Sequence, residues 1–217
     1  TNKDLLEIQD AVYNHLGNNK PRDEPRFHLF VWYVVIAFLI LYWCHIKVFN
    51  VFTAIILGIF VAIFCTTNLH CANHGAITKN KHLADLYAII NMIPVGLSPY
   101  RWRNKHYTHH NDTMTKDDID NLQEPFARMD PNQPYKWYYK YQHIYVPILT
   151  TTLQLQYFIL DIIFTIKGKY TTKSEQFKYL IIVSLFILLY FIIPLSKYSF
   201  TKVLLMFLVF SITLSVI

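Results

Sequence analysis

Two long apolar runs, one directly after the other, constrain the fold of this chain more than any other feature. The first covers residues 27–46 and is nearly all apolar, and the second covers residues 48–68 and carries no charge. Each run has the length of about 20 residues that an α-helix needs to cross the hydrocarbon core of a bilayer. Because only Lys47 and the nearby Asn50 punctuate the junction, the sequence predicts two spans in a tight helical hairpin.

The composition also favours an integral membrane protein. Of the 217 residues, 53% are hydrophobic and 17% are aromatic, and the mean hydropathy is +0.24. An ordinary soluble domain of this length is less apolar and less aromatic. The sequence contains no repeat with the period of a solenoid or a propeller. One integral domain is therefore predicted rather than several modules.

The net charge of +6 raises the question of a nucleic-acid partner. The lysines and arginines, however, lie in segments that flank the apolar runs and do not form one basic stripe. The charge therefore predicts anionic lipid head groups as the partner, and no nucleic acid. Cys44, Cys65 and Cys71 contain no Cys-x-x-Cys pair, so no disulfide framework is expected.

Residues 1–27 are polar and charged and do not have the pattern of a signal peptide. Apolar residues among acidic ones predict an amphipathic helix that ends near Gly17. The apolar positions are Leu5, Leu6, Ile8 and Val12. The expected organisation is this N-terminal segment followed by a membrane domain over residues 28–217. Because the first residue is not Met and the last lies in an apolar run, we expect a fragment at both ends.

The longest polar region covers residues 67–143. Arg22 and Arg26 lie just before the first apolar run, and the positive-inside rule places them, and hence this region, on the cytoplasmic side. Residues 83–97 within the region are apolar but contain an aspartate and a proline, and they are short for a span. We therefore expect them to form a helix that lies at the membrane interface.

Three further apolar runs follow, at residues 144–160, 179–196 and 203–217. If all three cross the membrane, the lysine-rich loop at residues 167–178 lies on the far side, against the charge rule. Either one run is re-entrant or peripheral, or another span follows residue 217. The sequence leaves both arrangements open.

Two histidine clusters lie in the polar region. His70 and His74 occur in His-Cys-Ala-Asn-His, and His106, His109 and His110 occur in His-Tyr-Thr-His-His. On a helix, residues three or four apart share one face, so each cluster can direct its imidazoles at a common centre. Neutral imidazole binds Fe, Zn, Cu and Ni, and five nitrogens exceed the needs of one tetrahedral zinc site. The clusters predict a transition-metal site at the membrane surface, with ligands for two ions.

The remaining polar residues are given ordinary structural roles. The other histidines are isolated and are not expected to bind metal; they are His15, His28, His45, His82 and His143. The acidic run with Asp117, Asp118, Asp120 and Glu124 is predicted to be a solvated loop. Trp102 is predicted to be an interfacial tryptophan.

These motifs resemble those of the membrane fatty acid desaturases, and most closely the acyl-lipid and linoleoyl-CoA types. The similar features are a His-x-x-x-His box after a hairpin of spans, a His-x-x-His-His box further on, and the surrounding Asn-His-Gly-Ala and Arg-Trp-Arg-Asn-Lys-His. Gln-His-Ile-Tyr at residues 142–145 and the acidic run after the second box are similar as well. The resemblance covers nearly the whole chain.

The resemblance implies the dioxygen-dependent insertion of a double bond into the acyl chain of a lipid or of an acyl-CoA, at a centre of two iron ions. Part of the ligand set would be His70, His74, His106, His109 and His110. The electrons would come from cytochrome b5 or a ferredoxin, and the acyl chain would lie in an apolar tunnel that enters the spans.

The sequence departs from the family pattern in two places. Family members have a third box, commonly Gln-x-x-His-His, but no histidine follows His143, which C-terminal truncation would explain. Cys71 stands where the family usually has Asp. Two other functions stay open: a related diiron hydroxylase or ketolase of lipids, sterols or alkanes, and a non-enzymatic membrane metal binder or transporter with its histidines inside the spans.

Overall fold

The computed structural model describes residues 2–16, 23–113, 115, 118, 126–129 and 131–217, and these residues form helices and no strand. The helices are α1 (Asn2–Leu16), α2 (Pro25–Val48), α3 (Val51–Asn73), α4 (Lys81–Met92), α5 (Pro99–Asp112), α6 (Gln142–Thr150), α7 (Leu153–Ile166), α8 (Lys173–Leu195) and α9 (Phe200–Val216). Single π-helical turns occur in α3 at Val61–Cys65 and in α8 at Leu188–Ile192, and a 3₁₀ helix, Trp137–Tyr141, precedes α6. The predicted end of α1 at Gly17 lies outside the described residues.

Helices α2 and α3 form the predicted hairpin, with the turn at Phe49 and Asn50. Asn50 caps α3, because its side chain accepts a hydrogen bond from the Thr53 backbone N–H at 2.9 Å. Phe49 adopts a left-handed conformation, φ 44°, and its ring stacks on Tyr198 with the ring centroids 4.1 Å apart. The turn lies slightly later than Lys47 because Asn50 supplies the side-chain cap that starts the second helix.

The prediction of an all-helical membrane protein is confirmed. Helices α2, α3 and α8 are long and apolar enough to cross a bilayer, and a fourth span exists if α6 and α7, with the turn before them, count as one. Helix α2 carries a large exposed apolar surface, as expected for a helix that faces lipid. Its exposed apolar residues include Leu29, Tyr33, Ile36, Leu39, Ile40 and Trp43.

The apolar run at residues 144–160 does not form one straight helix. Helices α6 and α7 meet at an angle of 75°, the geometry of a broken span or a re-entrant loop. Pro147 lies inside α6 and cannot donate a backbone hydrogen bond. At the break, the carbonyl of Leu149 accepts hydrogen bonds from the Thr152 backbone N–H at 3.1 Å and from the Gln156 side chain at 3.2 Å. Of the arrangements that the sequence leaves open, the break favours a first run that is not a simple span.

Helix α4 overlaps the segment expected at the interface, but it begins at Lys81, before residue 83, and ends at Met92, earlier than residue 97. Pro94 and Gly96 follow in a turn, and Gly96 has φ +78°, which a residue with a Cβ rarely adopts. A Cβ there would also lie 2.9 Å from the Phe186 ring. This turn redirects the chain from α4 into α5, the helix that carries the second histidine cluster.

The main core lies between α2, α3, α8 and α9. Its fully buried members include Val34, Leu57, Ile182, Phe186 and Phe210. Gly58 of α3 lets α9 approach closely, because a Cβ at this position would lie 2.8 Å from the Cβ of Thr213. Small residues at such contacts are typical of helices that pack within a membrane.

We expect Gly58→Leu to destabilise the protein, because the new side chain must push α9 away from α3. Overpacking of a core costs about 1–3 kcal/mol. A leucine at position 58 belongs at the upper end of that range, because the backbone carbonyl of Phe210 would lie only 3.1 Å from its Cβ. Thermal unfolding in detergent measures the effect, with Ile59→Leu at an exposed position of the same helix as the control. An unchanged melting temperature for Gly58→Leu would contradict the close contact.

Candidate metal centre

The two histidine clusters lie on the end of α3 and on the second half of α5. His70 belongs to the last turn of α3, and His74 follows the final residue of that helix. Ser98 is the N-cap of α5, and its hydroxyl accepts a hydrogen bond from the backbone N–H of Arg101 at 3.3 Å. His106 and His110 then lie one turn apart on one face of α5.

Four of the five predicted histidines converge. One ring nitrogen from each of His70, His74, His106 and His110 lies within 4.8 Å of the corresponding nitrogens of the others. The ring centroids of His70 and His106 are 4.6 Å apart, and those of His74 and His110 are 4.9 Å apart. The Nε2 atoms of His106 and His110 are 2.9 Å apart. Residues from both boxes therefore meet in one cluster at the end of a predicted span.

The cluster fits a transition metal. Imidazole nitrogens bind such ions at about 2 Å, so ligands of one ion lie up to about 4 Å apart, close to the spacing observed here. The Nε2 atom of His74 is buried and has no hydrogen-bond partner, and a buried nitrogen of this kind is costly unless something binds it. Burial, followed by the neighbouring His70 and His110, lowers the pKa of His74 and favours the neutral form that ligates metal.

His109 lies apart from this four-histidine cluster. Its ring centroid is 6.2 Å from that of His106, and its Nδ1 lies 2.9 and 3.1 Å from the two carboxylate oxygens of Asp118. Asp118 is fully buried, so the prediction of a solvated acidic loop is wrong for this residue. The other acidic residues of that run, Asp117, Asp120 and Glu124, lie outside the described residues. The contact between Asp118 and His109 is indicated in the sequence only by their spacing, because the carboxylate lies within ten positions of the histidine.

Trp102 packs against the histidines. Its ring stacks on His106 with the centroids 4.2 Å apart and meets the edge of His70 at 5.5 Å. The same side chain lines two cavities that reach the cluster. One cavity, of about 130 Å³, is lined by His106 and Tyr157 among others, and the second, of about 390 Å³, is lined by His70 and Leu97 among others. The first has a mainly polar and charged lining, and the second mixes polar with apolar side chains.

The remaining histidines do not join the cluster. His28 Nδ1 lies 2.7 Å from the Tyr87 hydroxyl, and His45 Nδ1 lies 2.9 Å from that of Thr53. The exposed ones are His15, His82 and His143. The three cysteines are free, as expected.

One buried carboxylate and one half-buried charge network hold α5 in place. Asp161 of α7 accepts the backbone N–H of Ser98 at 2.6 Å and is ion-paired with Arg101. Arg103 donates to Asp85 of α4 at 2.9 Å and to Glu175 of α8 at 3.2 Å. Burial alone would raise the pKa of Asp85, but its hydrogen bonds with Lys178 and Arg103 outweigh burial and lower it.

Tyr107 ties the two histidine-bearing helices together, because its hydroxyl donates to the backbone carbonyl of Asn73 at 2.7 Å. We expect Tyr107→Phe to lose this bond at a cost of about 1 kcal/mol and to weaken metal binding several-fold. Metal titration followed by calorimetry measures the change. Tyr141→Phe, at an exposed position away from the cluster, is the control. Equal affinities for the two variants would contradict the tethering role.

The fold and the cluster define a helical membrane protein with a four-histidine group at the end of a span. The fatty acid desaturase family model matches residues 47–217, and the chain belongs to that family. The match includes both histidine boxes.

Curated relatives agree with this assignment. An acyl-lipid (8-3)-desaturase of Physcomitrium patens is 29% identical over 72% of this chain and 35% of its own length. A probable Delta(5) fatty acid desaturase C of Dictyostelium discoideum is 27% identical over 91% of this chain and 47% of its own length. A sn-1 linoleoyl-lipid 6-desaturase of Synechocystis is 27% identical over 76% of this chain and 48% of its own length. The chain thus spans about half or less of the relatives it matches, and no solved structure matches it.

Proposed function

We propose that the protein introduces a double bond into a fatty acyl chain with dioxygen as the oxidant. Two neighbouring C–H bonds of the acyl chain supply two electrons and two protons, a carrier protein supplies two more electrons, and the solvent supplies two more protons. Dioxygen takes up all four electrons and leaves as two molecules of water. The observation that carries the proposal is the convergence of His70, His74, His106 and His110 in a chain of the desaturase family.

The histidines would hold iron, and a pair of iron ions supplies the capacity to activate dioxygen when bound. The ligands that we propose from this chain are His70, His74, His106, His109 and His110. The buried Nε2 of His74 and the stacking of Trp102 on His106 restrain these two rings before metal enters. Imidazole nitrogen is an ordinary ligand of iron.

The substrate is a fatty acyl lipid or an acyl-CoA, in line with the printed names of the relatives. The larger cavity beside Trp102 adjoins His70, and the apolar part of its lining, which includes Leu97, would accept the acyl chain. We infer that cytochrome b5 or a ferredoxin delivers the electrons, and that residues 28–217 form the membrane domain with its histidine boxes on the cytoplasmic side. The amphipathic segment, residues 1–27, precedes that domain.

The position of the histidines favours an enzyme over a transporter. His70 belongs to the last turn of α3 and His74 lies just after it, whereas ligands of a transport path are expected within spans. A related hydroxylase or ketolase would use the same ligands, and its product distinguishes it.

The test is the expression of the complete gene in a host that lacks the activity, with mass analysis of the fatty acids. Desaturation predicts a new acyl chain that is lighter by two hydrogens. A product heavier by one oxygen would establish a hydroxylase and contradict the proposal. A host that takes up more iron but makes no new acyl product would support the metal-binding or transport function and would contradict the proposal.

A further inference from the structure

Asp118 is the one buried carboxylate that contacts a histidine of the second box among the described residues. It is fully buried, and its two oxygens lie 2.9 and 3.1 Å from Nδ1 of His109. Burial of a carboxylate is costly unless a donor faces it. Both carboxylate oxygens of Asp118 are within hydrogen-bond distance of the His109 ring. The contact joins a residue outside the helices to a residue of α5.

Two backbone hydrogen bonds connect Asp118 with the end of α5. The Asp118 N–H donates to the carbonyl of Thr115 at 3.2 Å, and the Thr115 N–H donates to the carbonyl of Asp112 at 2.9 Å. The backbone of Asp118 is therefore linked to the helix that carries His109, as its side chain is.

We propose that Asp118 is a positioning residue that fixes the tautomer and the direction of the His109 ring. An ionised carboxylate can only accept, so Nδ1 of His109 carries a proton, and in the neutral ring that binds metal Nε2 then presents its lone pair. A hydrogen bond from the ring nitrogen that does not bind the metal orients a metal-bound histidine and raises its basicity. This inference rests on the proposed function only in so far as it makes His109 an iron ligand.

The location of His109 has a consequence for the two iron ions. His109 does not belong to the four nitrogens that lie within 4.8 Å of one another. Held by Asp118, its Nε2 serves a metal position different from the one that those four surround. Loss of Asp118 should therefore affect one of two iron-binding steps.

The first experiment measures the tautomer without any metal. The complete gene product, labelled with ¹⁵N-histidine and reconstituted in lipid nanodiscs, is compared with Asp118→Asn and Asp118→Ala by NMR, and His109→Ala assigns the signal. We expect Nδ1–H in the parent and in Asp118→Asn, whose amide oxygen still accepts, and Nε2–H in Asp118→Ala. An Nδ1–H signal that persists in Asp118→Ala would overturn the proposal.

The second experiment is an iron titration of the same variants. We expect Asp118→Ala to weaken one binding step by about 10- to 100-fold, with partial recovery in Asp118→Asn. His109→Ala should weaken the same step, and the double variant should bind no more weakly than His109→Ala alone, because Asp118 acts through His109. Losses that add in the double variant, or parent affinity in Asp118→Ala, would overturn the proposal.

Asp112→Ala is the matched control, because it removes a carboxylate from the same helix, one turn or less from His109, and should change neither readout. The two experiments separate the two proposals. If the parent protein retains no iron, the proposed function fails, while the tautomer measurement still decides the role of Asp118.

Discussion

We expect the His106→Ala variant of the complete gene product to make no unsaturated fatty acid and to lose tightly bound iron. The His106 ring lies at the centre of the cluster, with centroids 4.6 Å from His70 and 4.5 Å from His110. Even partners that only orient a ligand are worth about 10- to 100-fold in metal affinity, so the loss of a ligand should exceed 100-fold by this scale. Product analysis and iron content measure the two effects.

His82→Ala is the control for that variant, because His82 is exposed and lies outside the four-histidine cluster. It should retain full activity and iron. Equal iron content in the His106 and His82 variants would show that the cluster does not hold the metal.

Asp161→Ala should produce the largest loss of stability. Its carboxylate is buried, accepts the Ser98 N–H at 2.6 Å and pairs with Arg101. Removing one partner of a buried ion pair leaves the other charge uncompensated, at a cost of about 3–5 kcal/mol. Because Ser98 and Arg101 form the first turn of α5, the change should also displace the histidines of that helix and weaken iron binding. Unfolding in detergent measures the first effect.

A double variant separates the charge effect from the loss of packing. Arg101→Leu combined with Asp161→Leu leaves no unpaired charge, so it should be more stable than Asp161→Ala alone. Asp10→Ala, at an exposed position of α1, should unfold like the parent. If Asp161→Ala also unfolds like the parent, the ion pair does not anchor α5.

The spans and the four-histidine cluster were predictable because both depend on local spacing. Uncharged runs of bilayer length report helices directly, and residues four apart share a helix face, which explains why His70 meets His74 and His106 meets His110. The same geometry explains why His109 differs. Neighbouring residues on a helix point about 100° apart, so His109 and His110 cannot both face one centre.

The features that were missed depend on contacts between distant segments. Asp118 is buried and contacts His109 of α5, and no periodicity in the acidic run indicates that contact. The sequence leaves open which apolar run is not a simple span, and the bend between α6 and α7 identifies the first. Gln154 lies in that region, and its buried amide donates to the carbonyl of Val95 and accepts from Ser211. Local spacing in the sequence does not indicate such tertiary partners.

X-ray absorption at the iron edge, on the complete gene product loaded with ferrous ion, tests whether these histidines hold iron. We expect nitrogen neighbours at about 2 Å, as in other imidazole sites, with the outer shells of imidazole rings. That signal should be lost when His70 and His106 are both replaced by alanine. A spectrum of oxygen ligands alone, or one that the two replacements leave unchanged, would contradict iron binding by these histidines.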